Sequence, residues 1–361
     1  MHPRSLPPLT KHLLLTLCST YRKGILINKP FCNMKQTMLA ILLALPFIGL
    51  SQYTYKNLQV NYLETGTAAQ NYTYQHLRLY PIYAKQAFTN EFKSIGKYMT
   101  LQEAIAKNKV KITENSSSGD VNSLKIENIS TDTIIVITGD VVKGGKQDRI
   151  INKDLLLKPK SGKKDLPVFC VESGRWSSGG GTHYSSRNYT AAAPAEFKGH
   201  YNKGSMGLRK VVEKEKDQGK VWEKVDEITS ANKTTTSTKT YTALTNSADF
   251  TKKLDKYLTF FKSKFSADPT VIGVVVVTGN KVLGCDMFAT HDLFVQQFES
   301  LLHSYATEAI LNGKPVTAST ATVKVYMDKL LNDELTQQQT LKEKGNSFTE
   351  KGKKLRVSSF D

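Results

Sequence analysis

Val271-Ile-Gly-Val-Val-Val-Val-Thr278, then Gly279-Asn280, then Lys281-Val-Leu-Gly-Cys-Asp-Met-Phe288 reads as two β-strands closed by a two-residue turn with glycine at its first position. On the N-terminal side, Phe250, Leu254, Tyr257, Leu258, Phe261 and Phe265 recur at helical spacing and form one apolar face. On the C-terminal side, Thr290 caps a second helix whose Phe294, Phe298, Leu301, Leu302, Tyr305 and Ala309 face a core, and Gly313 and Pro315 end it. Helix, hairpin and helix together predict helices packed on a small sheet.

Upstream, the period changes. Leu58, Val60 and Tyr62, then Val110 and Ile112, then Leu124 and Ile126 alternate with polar neighbours, the pattern of half-buried strands. Thr133-Ile-Ile-Val-Ile-Thr138 is a fuller apolar run, set off by the turn-forming Asn128-Ile-Ser-Thr-Asp132. Leu155-Leu-Leu157 and Leu166-Pro-Val-Phe-Cys-Val171 flank Pro159-Lys-Ser-Gly162. Thr100-Leu-Gln-Glu103 fits a capping box, each end satisfying an orphan amide of a short helix. The expected class is α+β: an N-terminal β-rich, sandwich-like half over residues 52–176 packed with a C-terminal helix-hairpin-helix half over 205–325. Between them, 177–204 is rich in Ser, Gly, Tyr and Asn and is expected to be a flexible loop. Leu208, Val211, Val212, Val221, Trp222, Val225 and Ile228 fall roughly on one helical stripe, and Ala231–Lys239 reads as a polar linker. The tail, 326–361, is polar and is expected to be partly disordered or an exposed helix.

Residues 34–51 have the form of a signal peptide: Lys35 near the start, an apolar run from Leu39 to Leu50, and small Gly49 and Ser51 at its end. That run is shorter than the roughly 20 apolar residues a membrane span requires, and Pro46 interrupts it. Residues 1–33 read as a misassigned upstream start, or else as the first part of a two-part leader. The protein is therefore expected to be exported, periplasmic or extracellular, without a transmembrane span in its mature part. The first 51 residues carry six Lys or Arg and no acid, so the formal net charge falls from +18 to +12 without them. A basic balance favours anionic partners in general. Lysines interleave with acids almost everywhere and no nucleic-acid motif accompanies them, so a solvated basic surface accounts for them better than nucleic-acid binding. Beyond the leader, Cys170 and Cys285 either pair in an oxidising compartment or stay apart as small buried residues.

Gly139-Asp-Val-Val-Lys-Gly144-Gly145-Lys146-Gln147 superficially suggests a phosphate loop, but the lysine is one place late and Gln147 stands where Ser or Thr is required. Adjacent glycines fit a tight turn with positive φ better. Lys146, Gln147 and Arg149 still set three donors beside that turn, and Cys170-Val-Glu172-Ser-Gly-Arg175-Trp176 adds an acid, a guanidinium and an indole. One use is a site for an anionic small molecule or glycan, with Arg149 or Arg175 forked onto a phosphate or carboxylate and Trp176 as platform. The other is a structural ion pair of Glu172 with Arg149 or Arg175 beneath a packed tryptophan. No H-E-x-x-H, G-x-S-x-G or C-x-x-C is present, and no cofactor or metal is expected. Asp286, His291 and Asp292 lie close in sequence, but Asp292 suits a helix's first turn better than a metal. Cys170 as a nucleophile needs a base such as His183; in an apolar strand it is better read as a buried thiol.

Thr100–Ile105, Leu124–Asn128, Gly139-Asp140, Gly144–Arg149, Val168–Trp176 and Leu302-His-Ser-Tyr-Ala306 together resemble the ARG and rhodanese-phosphatase-superfamily-associated protein domain, over about Leu58 to Leu311. The resemblance implies a link to ADP-ribose or nucleotide metabolism, or to a bacterial conflict system, and the leader points to an exported Bacteroidetes-type member. The reading it joins is a non-enzymatic binding domain for an anionic, nucleotide- or sugar-like ligand. The alternatives are a hydrolase of a phosphate- or ribose-containing ligand, with Glu172 or Asp148 as general base, and an envelope structural or interaction protein.

Overall fold

A computed structural model describes residues 52–62, 66–175 and 195–361. The expected signal peptide, the segment ahead of it and residues 177–194 of the expected loop lie outside these. The chain begins with β1 (Leu58–Val60), α1 (Thr67–Asn71), β2 (Thr73–Tyr74), β3 (Leu77–Ala84) and α2 (Gln86–Phe92). There follow β4 (Met99–Thr100), α3 (Leu101–Ala106), β5 (Val110–Glu114), β6 (Ser123–Asn128), β7 (Ile134–Val136), β8 (Asp140–Gly144), β9 (Arg149–Ile151), β10 (Leu155–Leu157), β11 (Lys164–Cys170) and β12 (Phe197–Lys203). Next come α4 (Met206–Lys210), a π-helical turn (Val211–Glu215), α5 (Gln218–Ala231), a 3₁₀ segment (Tyr241–Asn246) and α6 (Ala248–Phe261). The last elements are β13 (Val271–Thr278), β14 (Lys281–Phe288), α7 (His291–Asn312), α8 (Thr320–Leu331), α9 (Glu334–Lys344), β15 (Gly345–Glu350) and β16 (Lys353–Phe360).

The β13/β14 hairpin is the middle of a seven-stranded sheet ordered β1-β3-β13-β14-β16-β15, with β2 also on β3. Val275 of β13 faces Tyr80 of β3 on one side and Cys285 of β14 on the other. Gly279 turns the hairpin with φ of 53°, a left-handed value that costs glycine little. Both faces of the sheet are covered. Val274 and Val276 pack with Phe250 and Phe261 of α6 and Leu301 and Tyr305 of α7. Ile272, Val275 and Val277 pack with Phe88 and Phe92 of α2 and Val323, Met327 and Leu330 of α8. With no wet face, β13 has no polar alternation to show, and each such side chain removed from water contributes roughly 1.5–3 kcal/mol.

The earlier strands build the sandwich. A six-stranded sheet ordered β12-β8-β9-β11-β6-β5 and a three-stranded sheet ordered β10-β7-β4 share one core, including Leu124, Ile126, Ile134, Val136, Leu157 and Val168. Ile150 and Phe169 join instead the core that holds Met206 and Leu208 of α4 and Val225 of α5. The class is thus α+β, with strands dense early and long helices late. Strands from both ends of the described residues meet in the seven-stranded sheet, which the linear order does not reveal.

Three expectations are corrected. The polar tail is folded: β16 pairs with β14, with Ser359 opposite Cys285, and Leu355 through Phe360 are all buried. Its polarity misleads because Arg356 and Ser358 find internal partners instead of water. The expected loop ends early, since Phe197–Lys203 pairs with β8. The capping box is half formed: Thr100 accepts from the Glu103 amide at 3.1 Å, but the Glu103 carboxylate pairs with Lys107. Cys170 and Cys285 are both buried and free.

Candidate functional site

The motif residues gather on the turn between β8 and β9 and the end of β11. Gly145 has φ of 53°, and a Cβ there would lie 2.2 Å from the Phe197 ring, so only glycine fits. The turn is stapled from three directions. Glu114 Oε1, at the end of β5, accepts the Lys146 amide at 2.9 Å and lies 3.6 Å from Arg149 Nη2. Arg149, fully buried, donates through Nη1 to the Gln147 carbonyl at 2.8 Å. Arg175 donates to the Gly145 and Gly144 carbonyls at 2.8 and 3.1 Å, to Asp148 Oδ1 at 3.2 Å and to Glu172 Oε2 at 2.7 Å.

Glu172 Oε2 also accepts the Asp148 amide at 3.0 Å, and Asp148 Oδ2 accepts the hydroxyls of Thr240 and Thr242 at 3.0 and 2.9 Å. The threonines enter from the stretch after the polar linker, which bridges to Glu172 at Thr240. Burial alone would raise the Glu172 carboxyl, but the hydrogen bonds from Arg175 and the Asp148 amide outweigh it and hold the group below its ordinary value. Burial pushes the Cys170 thiol up to about 11, so near neutral pH it is a thiol and not a nucleophilic thiolate.

The structure therefore brings Lys146, Gln147, Asp148, Arg149, Glu172 and Arg175 together, with Gln147, Asp148, Arg149 and Glu172 buried. Lys146, Arg149 and Arg175 are matched by Glu114, Asp148 and Glu172, so the cluster is electrically balanced. Arg175, its side chain about a third exposed, faces solvent only in part, and Lys146 Nζ reaches the Ser118 carbonyl at 2.7 Å. Trp176 and His183 lie outside the described residues. The hairpin acids do not converge: Asp286 accepts from Arg209, while His291 Nδ1 is 2.7 Å from the Val271 carbonyl. Among the described residues no group of His, Cys, Asp and Glu could hold a metal ion.

A second region was not visible in the sequence. A cleft of about 790 Å³, within the range of small-molecule sites, lies between the π-helical turn, α9 and β15. Lys153, Lys214, Lys216, Lys342 and Lys354 line it with only Glu213 and Glu334 as acids among the described residues. Lys354 pairs with Glu334. Lys214 donates to the Leu341, Lys342 and Gly345 carbonyls, closing the C-terminal end of α9. Lys153, Lys216 and Lys342 are exposed and form no ion pair among the described residues, which leaves the cleft cationic. A wider hollow of about 1000 Å³ beside α6 mixes Lys252 and Lys256 with Asp255 and has no comparable excess of one sign.

The π-helical turn explains both the cleft and its concealment. The apolar stripe from Leu208 to Ile228 is broken after Glu215, where Lys216 adopts a left-handed φ of 52° and Asp217 caps α5 through the Lys220 amide. The extra residue per turn sends Glu213 inward to Arg356. A 3.6-residue reading of the stripe cannot show this, and the partner lies in the tail.

A family model described as the ARG and Rhodanese-Phosphatase-superfamily-associated Protein domain matches residues 65–359. No curated protein and no solved structure matches the chain.

Proposed function

Because the chain belongs to the ARG and Rhodanese-Phosphatase-superfamily-associated Protein domain family, whose name records association and not a reaction, we propose an exported, non-enzymatic binding domain for an anionic, nucleotide- or sugar-like ligand, seated in the lysine-lined cleft. The observation that carries this reading is the excess of cationic side chains there, with Lys153, Lys216 and Lys342 unmatched by acids among the described residues. Ammonium groups on one concave face raise the local concentration of anions and hold them by charge-assisted hydrogen bonds, each worth roughly 1.5–3 kcal/mol when formed. The β8/β9 cluster supports the reading by contrast, since its positive charges are already spent on carboxylates and carbonyls.

The hydrolase reading has less support, because Glu172 and Asp148 already accept bonds from a guanidinium, an amide and two threonines. An envelope role, resting on a polar tail and flexible loops, loses the first of these grounds with the folding of the tail.

Calorimetric titration with ADP-ribose, nucleotides, inorganic phosphate and anionic glycans tests the proposal. A Lys153→Glu, Lys216→Glu, Lys342→Glu triple variant is expected to bind at least about tenfold more weakly, a difference of about 1.4 kcal/mol, and wild-type affinity to fall with added salt. Folded wild-type protein giving no heat with any of them would sink the proposal.

A further inference from the structure

Resting on the reading of the cleft as an anion site, we propose that Lys214 is its positioning residue: the ammonium cancels the negative carbonyl end of α9 and ties α9 and β15 to the π-helical turn, so the exposed lysines meet an anion with no repelling pole beside them. That pole borders the cleft. Leu341 and Lys342 in the last turn of α9, and Gly345 directly after it, all line the space. The last four carbonyls of an α-helix have no partner inside it, and together they carry about half a unit of negative charge. An anion seated against an uncompensated helix end of this kind is repelled, which offsets part of the attraction of Lys153, Lys216 and Lys342.

Lys214 Nζ donates to the Leu341, Lys342 and Gly345 carbonyls at 3.2, 2.6 and 3.2 Å. An ammonium has three donors, so all are engaged and none is kept for a ligand. Lys214 therefore acts on an anion through its charge and through the walls it holds in place, Lys342 among them. The π-helical turn makes this possible, because neighbouring residues diverge there: Glu213 turns inward to Arg356, while Lys214 crosses to α9 and β15. Lys344, the other base in the last turn of α9 beside Lys342, is paired with Asp361 and does not take the same part. Burial and then Lys216 pull the Lys214 ammonium below its ordinary value, and an anion seated beside it acts against both.

Full-length protein titrated at pH 7 with ADP-ribose, inorganic phosphate and a polyuronate tests this. Lys214→Met is expected to weaken the anions that the wild type binds by at least about tenfold, against about threefold or less for Lys153→Met, and Lys214→Arg to stay within about threefold of the wild type. The gap between wild type and Lys214→Met is expected to narrow as salt is added, because screening removes a charge effect and leaves a lost scaffold unchanged. Should Lys214→Met fail to fold, Lys214→Gln, which keeps an amide donor but no charge, is read in its place with the same expectation. A loss no larger than that of Lys153→Met, or a gap that salt leaves unchanged, overturns the role of Lys214 while the anion reading stands. Absence of binding of all three by the wild type overturns the reading beneath it.

Discussion

Asp286 is held on both carboxylate oxygens by Arg209, and Tyr305 adds a hydroxyl at 2.7 Å. All three side chains are buried. Burial alone would raise the Asp286 carboxyl, but Arg209 and then Arg356 outweigh it and bring the group down to about 2 from an ordinary 3.8. A depressed acid stabilises the fold above its unfolded value and loses that contribution as pH falls through the folded one. Asp286 therefore lends its full share above about pH 4 and loses it toward pH 2. Glu213 moves the other way, so its share is complete below its ordinary value of 4.5 and declines as pH rises through its raised folded value. Asp286→Ala, which leaves Arg209 buried without its partner, is expected to cost about 3–5 kcal/mol in denaturant unfolding at pH 7 and to flatten the acid limb between pH 4 and 2. A loss under about 1 kcal/mol would show that the network is not coupled to folding. At this scale the sequence indicated that Glu172 could pair with Arg149 or Arg175, and Arg175 is the one that pairs with it. It could not indicate Glu114, Thr240 or Arg356, which reach their partners from distant segments.

Elements were legible where a regular period met a solid cap or turn. β13, β14 and α7 follow the expected runs, with Thr290 accepting from the Leu293 amide and Gly313 directly after Asn312. The elements that escaped are those in which local polarity and tertiary burial disagree. β16 carries Lys, Arg and two serines, yet its serines and arginine are buried because β14 takes the backbone and Arg209, Asp154 and Glu213 take the side chains. Removal of residues 352–361 is thus expected to strip the seven-stranded sheet of an interior strand and abolish cooperative thermal unfolding. A truncated protein that melted within a few degrees of the full chain would place β16 outside the cooperative core. The π-helical turn escaped for a related reason: one inserted residue changes the phase of a helical stripe without changing its composition.

For the whole molecule, a basic balance does not by itself locate a partner. Formal charge falls from +18 to +12 without the first 51 residues, and folding matches many of the remaining cations with acids while leaving a group of lysines on one concave surface. Export is the proposal that belongs to the whole chain. N-terminal sequencing of protein recovered outside the cytoplasm is expected to begin near Gln52; recovery in the cytoplasm with residues 34–51 intact would remove it. The sequence by itself determined the α+β class, the central hairpin, the glycine turn after β8 and the family, because these depend on local period, steric freedom and residue identity at fixed spacing. Only the tertiary structure decided that the first and last described strands share one sheet, that the glycine–arginine motifs close on each other, and that five lysines border one cleft. Those outcomes depend on pairings between residues far apart in the chain, such as Arg209 with Ser358 at a separation of 149, and sequence spacing carries no record of distance through a folded core.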